Sequence, residues 1–326
     1  MSKHIKSIVS IILPFVFSAV LLGWLFHNYD YKHIWLTIKS ADIGYLSLAA
    51  LLYVLINFAI WWRWMILMQA MDLKFKKFSS LRWFFMGIAC NLLPVSSVGG
   101  DVVKGLGISQ ETGHKSKVFA SIVLDRLVGF VAIVLIAFLA FWGGHSIIND
   151  IQIVISILVI TVVSLVFGVV LFSQRVFSWV TKVFKRWPKI KDGLMNLHYD
   201  VVLLKGKQNQ AVLTLMISIV AQMLLAVDYY VIGKAMHQDI SIFSFIIFSP
   251  LVCVATALPS VGGLGVREQA WVRLLHNVGV AGPIAAAISF INGIFMLVFG
   301  ILAGIFYVTT LSVRRVQHRQ ASPAVS

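Results

Sequence analysis

Charge is what this sequence has least of. Only 12% of its 326 residues are Asp, Glu, Lys or Arg, where a soluble domain carries about 25%. That deficit excludes a water-soluble globule, which could not be coated with polar side chains. Acids are scarcer still, with 12 Asp and Glu against 27 Lys and Arg and a formal net charge of +15. Cysteine is nearly missing: Cys90 and Cys253 both lie in apolar stretches. Two such thiols build neither a disulfide framework nor a tetrahedral zinc site. The nine histidines have no metal-ligand spacing, so no metal and no cofactor is expected. P-loop, His-Glu-x-x-His, Gly-x-Ser-x-Gly and Rossmann patterns are all missing. With no polar segment large enough for a catalytic domain, the chain reads as a non-enzyme. The one enzymatic alternative is an intramembrane acid or base at Asp125, and no partner constellation supports it.

Apolar residues fill the space that charge leaves, at 60% of the chain and a mean hydropathy of +0.92. They come in blocks long enough to cross a bilayer, which takes roughly 20 helical residues. The pattern predicts an all-α integral membrane protein with about six transmembrane helices. The expected spans are Ile8–Phe26, Ile43–Met68, Val118–Trp142, Ile151–Phe172, Ala211–Ile232 and Pro283–Leu311. The first run has bases before it and no clean cleavage site after it, so it is read as an uncleaved span rather than a signal peptide. The basic excess flanks these blocks instead of forming a domain, which points to loop topology and anionic headgroups and away from nucleic acid.

Two further apolar stretches, Trp83–Leu93 and Ile242–Leu258, each stop at proline and glycines. If both turn back without crossing, the N-terminus, the Lys/Arg-rich loops and the basic tail at 312–326 all fall on the cytoplasmic side. Hydropathy alone allows seven or eight spans. The resulting plan is one polytopic membrane domain over 1–326. A first repeat half covers about 43–142, a basic linker 173–210 and a second half about 211–311. The His27–Asp42 segment reads as a mixed loop.

The two interrupted stretches resemble each other. The first turn carries Pro94, Val98, Gly99 and Gly100, followed by Asp101 and Lys104. The second carries Pro259, Val261, Gly262, Gly263 and Gly265, followed by Arg267 and Glu268. One lies between the second and third spans and the other between the last two. On the topology above they enter from opposite sides, as two re-entrant Pro/Gly hairpins of an inverted-topology repeat. Backbone outside a helix survives at that depth only where protein or water satisfies it.

Charges inside the spans cost several kcal/mol unless paired or wetted. Asp125 and Arg126 sit about two turns into the third span, and Asp101 and Lys104 share one helical face. The helix starts after each glycine turn expose N–H groups that favour an anion such as a lipid phosphate. Asp101, Lys104, Asp125, Arg126, Arg267 and Glu268 are therefore the candidate substrate-binding residues; the alternative is that they pair with one another and lock the fold. Arg63, among Trp61, Trp62 and Trp64, reads as an interfacial anchor that snorkels to headgroups. Asp228, before Tyr229 and Tyr230, fits either an outer-interface residue or a site wall.

Pro94 to Lys104, the Asp125–Arg126 pair and the run Pro259 to Glu268 resemble the lysylphosphatidylglycerol synthase transmembrane family, also called flippase-like, over about Ile43 to Leu311. In that family the first turn usually carries Gly-Glu with an Arg three residues on; Asp101 and Lys104 hold those places with the charges kept. The resemblance implies a multi-pass protein of a bacterial or archaeal plasma membrane. Its expected function is translocation of an anionic, aminoacylated or polyprenyl-linked lipid between leaflets. With no ATP site, net transport is expected to be facilitated or ion-coupled. The best-known members also carry a soluble aminoacyl transferase domain; this sequence stops at Ser326, so synthesis of lysyl lipid is not implied. A different class of function is a non-transporting partner that presents a lipid to a glycosyltransferase or lipid synthase.

Overall fold

The structure is a computed structural model that describes residues 3–92, 99–143, 206–256, 260 and 262–320, with side chains from Phe15 to Leu311 except at 140–143. The turn prolines Pro94 and Pro259, the expected span Ile151–Phe172 and linker residues 173–205 lie outside the described residues. The described chain is all-helical. Its elements are α1 (Lys3–Asn28), α2 (Tyr31–Lys39), α3 (Ile43–Ala70), α4 (Lys77–Asn91), α5 (Gly99–Thr112) and α6 (Lys115–Gly143). After the gap come α7 (Gln208–Ala235), α8 (Ile242–Ala255), α9 (Val266–His276) and α10 (Gly282–Gln320).

Four of these, α3, α6, α7 and α10, are long and apolar enough to cross a membrane. This is an all-α integral membrane protein. Helix α1, at 26 residues, covers the first expected span. The last helix runs past Leu311 to Gln320, so the basic tail begins as helix. One boundary agrees with the pattern and one segment differs from it, each for a local reason. Asp42 caps α3, accepting from the Gly44 and Tyr45 amides at 2.7 and 3.2 Å. The supposed loop at His27–Asp42 holds α2, which Asp30 starts by accepting from the Lys32 amide at 2.9 Å. Its Tyr31, Trp35 and Leu36 are exposed and Lys39 lies over the Trp35 ring, as suits a helix lying along a membrane interface.

The helices of the interrupted stretches are short: α4 has 15 residues, α5 and α8 have 14, and α9 has 11. At 1.5 Å per residue none reaches beyond about 23 Å, short of the roughly 30 Å hydrocarbon core. Each pair folds back on itself, α4 against α5 and α8 against α9. Re-entry, not a seventh or eighth crossing, is what their lengths allow.

Helices α3 and α7 pack side by side along their lengths and run antiparallel. The Asp42 amide at the start of α3 donates to the Ala235 carbonyl at the end of α7. At the other end, Lys207 pairs with Asp72 at 2.5 Å. The elements downstream of α3 therefore run opposite to those downstream of α7. Hairpin α4–α5 enters from the Asp72 end, where Glu111 fastens its base by accepting from Ser79, Arg82 and Trp83. Hairpin α8–α9 enters from the Ala235 end. Each hairpin also packs on the last span of the other half, α4 on α10 and α8 on α6.

Described residues beside both turns come to rest on α10. Leu92 lies against Gly300, and Gly262 lies against Met296 one turn away, about midway along the span Gly282–Leu311. In the first hairpin the two arms cross at Gly87 and Gly100: a Cβ on Gly100 would run into the Gly87 carbonyl oxygen and the Asn91 side chain. Two apolar clusters hold the bundle. One centres on Phe245, Phe248 and Trp271 near the Ala235 end. The other gathers Trp64, Leu67, Phe84 and Phe85 near the Asp72 end.

Candidate functional site

The first hairpin and α6 bring four of the six candidate residues into two neighbouring pairings, three in one and Asp125 in the other. Asp101, in the first turn of α5, pairs with Lys104 at 2.9 Å and with Arg126 of α6 at 2.8 Å. The Lys104 ammonium also lies 4.9 Å from the Trp64 ring centroid and 5.7 Å from that of Phe84. It is thus held by a carboxylate and two aromatic faces in a desolvated setting, where cation–π contacts count most. Asp125 turns the other way. It accepts from Arg63 Nε at 2.7 Å.

That contact corrects the reading of Arg63 as a snorkelling anchor. Its side chain is only 10% exposed, and its Nη1 donates to Ser218 of α7 at 2.9 Å. Gly129 on α6 leaves the room, since a Cβ there would sit 3.3 Å from Nη1. Of the neighbouring tryptophans, Trp62 is exposed as an interfacial residue should be, whereas Trp64 is fully buried. The aromatic neighbourhood hid which face of α3 the guanidinium occupies.

Arg267 and Glu268 form the second network, separate from the first. Arg267 binds Glu268 Oε1 through Nη2 at 2.7 Å and Nε at 3.1 Å. Ser289 of α10 donates to the same oxygen at 3.3 Å. The other carboxylate oxygen accepts from the Gly265 amide at 2.7 Å. Gly265 has φ of +84°, a left-handed conformation that glycine adopts without strain, so Glu268 caps the very helix that carries it. This revises the expectation that both helix starts present free N–H groups to a lipid phosphate. At α9 the protein's own carboxylate takes that place, and at α5 the Gly100 amide donates to Asn91 Oδ1 at 3.1 Å.

The networks occupy matching places in the two halves. Lys104 and Arg267 each stand four residues after the second glycine of their turn. Arg63 and Asp228 hold the same position counted from the start of their equally long helices, α3 and α7. Asp228 is fully buried, which removes the interface reading; Asn292 of α10 donates to its Oδ2 at 2.9 Å. Sequence reasoning missed Asn292 and Ser289. The signal was present: both are polar residues inside a long apolar span.

Exposure separates these residues. Asp101, Lys104, Asp125, Arg267 and Glu268 are all buried. The Arg126 side chain is 54% exposed, although it stands eleven residues into α6, about 16 Å along the helix. One guanidinium face is committed to Asp101 and the rest is open.

A family profile described as the lysylphosphatidylglycerol synthase TM region matches residues 11–304. The chain belongs to that family. It is also similar to a Pyrococcus horikoshii protein described as UPF0104 membrane protein PH1989, with 26% identity over 318 residues that cover 90% of this chain and 92% of the relative. The match spans both hairpins and every candidate residue, so membership in a multi-pass membrane family rests on the whole architecture. Among the described residues, no group of three His, Cys, Asp or Glu is placed to hold a metal ion.

Proposed function

We propose that this protein moves an anionic, aminoacylated or polyprenyl-linked lipid between the leaflets of the plasma membrane. The observation that carries the reading is Arg126: a half-open guanidinium deep along a span, beside a hairpin whose inner end at Leu92 rests against mid-span. An arginine facing hydrocarbon at such depth costs about 2.5–3.5 kcal/mol or more. The cost disappears if the face meets water or a phosphate, which a guanidinium can bind bidentately. Asp101 holds the guanidinium in place, and the pairing of Lys104 with Asp101 keeps the rest of the network close to neutral. A passing headgroup would then meet one available cation rather than a trap of several.

The opposed hairpins supply the route. Gapped helices that enter from opposite sides and meet near the middle form the transport site in inverted-repeat transporters. The Asp72 end also carries Lys74, Lys76, Lys77, Lys115, Lys117 and Lys207 against Asp72 and Glu111, whereas at the Ala235 end Lys32, Lys39, Lys234 and Arg273 are offset by Asp30, Asp42 and Asp239. The positive-inside rule puts the Asp72 end, and both termini with it, in the cytoplasm.

The test is leaflet exchange of fluorescent phospholipids and of polyprenyl phosphate in liposomes holding the purified protein. Exchange is expected to accelerate for at least one anionic lipid and to fall by an order of magnitude with Arg126→Gln, with folding unchanged because that side chain is half exposed. If no lipid moves faster with well-folded protein, the flippase reading fails, and lipid presentation to a partner enzyme takes its place.

A further inference from the structure

Four carboxylates are buried among the described residues: Asp101, Asp125, Asp228 and Glu268. Three have a cation at hydrogen-bond distance: Asp101 at 2.8 and 2.9 Å, Asp125 at 2.7 Å and Glu268 at 2.7 Å. Asp228 has none. Its Oδ2 accepts from Asn292, and its Oδ1 is buried with no hydrogen-bond partner. An ionised carboxylate without a countercharge is the most costly group to keep in a membrane interior.

The surroundings close off the usual escapes. Asn292 is fixed in orientation, because its Oδ1 accepts from Tyr229 at 3.0 Å. Among the described residues, Tyr53 on α3, Cys253 on α8 and Arg267 on α9 are the other titratable groups in this neighbourhood. Arg267 is committed to Glu268. From α6, Asp125 meets Arg63 at the level of Ser218, ten residues and about 15 Å along α7 from Asp228. Among the described residues no base lies within hydrogen-bond distance of the orphan oxygen. A sodium ion would need several oxygen ligands, and the Asn292 oxygen is already engaged. A proton needs one.

The position also joins this carboxylate to the moving parts that the proposed transport requires. Asn292, Met296, Gly300 and Gly304 succeed one another at i, i+4 spacing on one face of α10. Asp228 binds the first, the second hairpin's Gly262 rests on the second, and Leu92 and Ala89 of the first hairpin rest on the last two. Charging or discharging Asp228 changes the Asn292 hydrogen bond one turn from a hairpin tip.

We propose that Asp228 is a proton-binding site that couples a transmembrane pH difference to lipid movement. The coupling role rests on the flippase reading; the proton site itself does not. Two measurements on the full-length protein in liposomes separate them. Infrared difference spectra of wild type minus Asp228→Asn should contain a carboxylic acid C=O band at neutral pH that shifts on deuteration. Its absence overturns the proton site whether or not lipids move. In the exchange assay, an imposed pH difference should alter the wild-type rate. Asp228→Asn should lose that response while keeping gradient-independent exchange, and Asp228→Glu should restore it. A response that persists in Asp228→Asn, or a wild type that answers a sodium difference and not a pH difference, overturns the coupling. The infrared band without lipid movement leaves the proton site standing and sinks the flippase reading alone.

Discussion

Breaking the Arg63–Asp125 pair tests the buried network most sharply. The two side chains are 10% and 4% exposed and meet at 2.7 Å. Removing one partner of such a pair leaves an uncompensated buried charge and costs about 3–5 kcal/mol, whereas replacing both with apolar residues is near neutral. The loss should be unequal. Asp125 stripped of its cation by Arg63→Met can take a proton, while Arg63 stripped of its carboxylate by Asp125→Leu cannot give one up. Asp125→Leu should therefore be the worse variant. The double variant should recover most of the loss: Ser218 loses the guanidinium but still donates to the Thr214 carbonyl at 2.8 Å, so no new orphan is made. Reversible unfolding in mixed micelles, followed by tryptophan fluorescence, gives the four stabilities of the cycle. Additive single losses, or an Asp125→Leu cost under about 1 kcal/mol as for an exposed pair, would refute the reasoning.

Gly100→Ala should prevent the first hairpin from closing, because the added methyl meets backbone at Gly87; recovery of monodisperse protein should collapse, and wild-type yield would contradict the crossing. At the bundle end, the hydrogen bond and then the charge of Lys207 hold the Asp72 carboxyl below its ordinary value. A depressed carboxylate contributes stability above its unfolded value of about 3.9 and loses it as pH falls through the folded value. Asp72→Asn should thus differ from wild type at pH 7 and low salt, and converge with it in acid or at high salt. A difference that survives in acid would break that linkage.

The sequence disclosed the membrane class, both interrupted stretches and their likeness, because apolar block length and proline–glycine punctuation are one-dimensional signals. It disclosed Asp101, Lys104, Asp125 and Arg126 as charges in the wrong solvent, but not their pairing. Asp125 and Arg126 are adjacent, yet a helix points neighbours about 100° apart, so one reaches Arg63 and the other Asp101. Arg63 was misread because three tryptophans look like an interface from sequence, whereas only packing shows that Trp64 faces inward. Helix α2 was missed because nine residues are too few to span a bilayer, and Lys32, His33 and Lys39 among them look like a loop until Asp30 caps them. Glu268 at a helix start was legible as a charge and illegible as a cap, since only the backbone turn at Gly265 brings its own amide into reach.

The most direct test of the central claim, that lipids pass where the opposed hairpins meet, is to lock one tip. Leu92 and Gly300 face each other closely enough that a Cβ on Gly300 would lie 2.8 Å from Leu92 Cγ, an approach suited to a disulfide. In a background with Cys90 and Cys253 replaced by serine, Leu92→Cys with Gly300→Cys should cross-link on oxidation. Lipid exchange in liposomes should then stop and return on reduction. Exchange at the unlocked rate with the cross-link complete would place the route, if there is one, somewhere else.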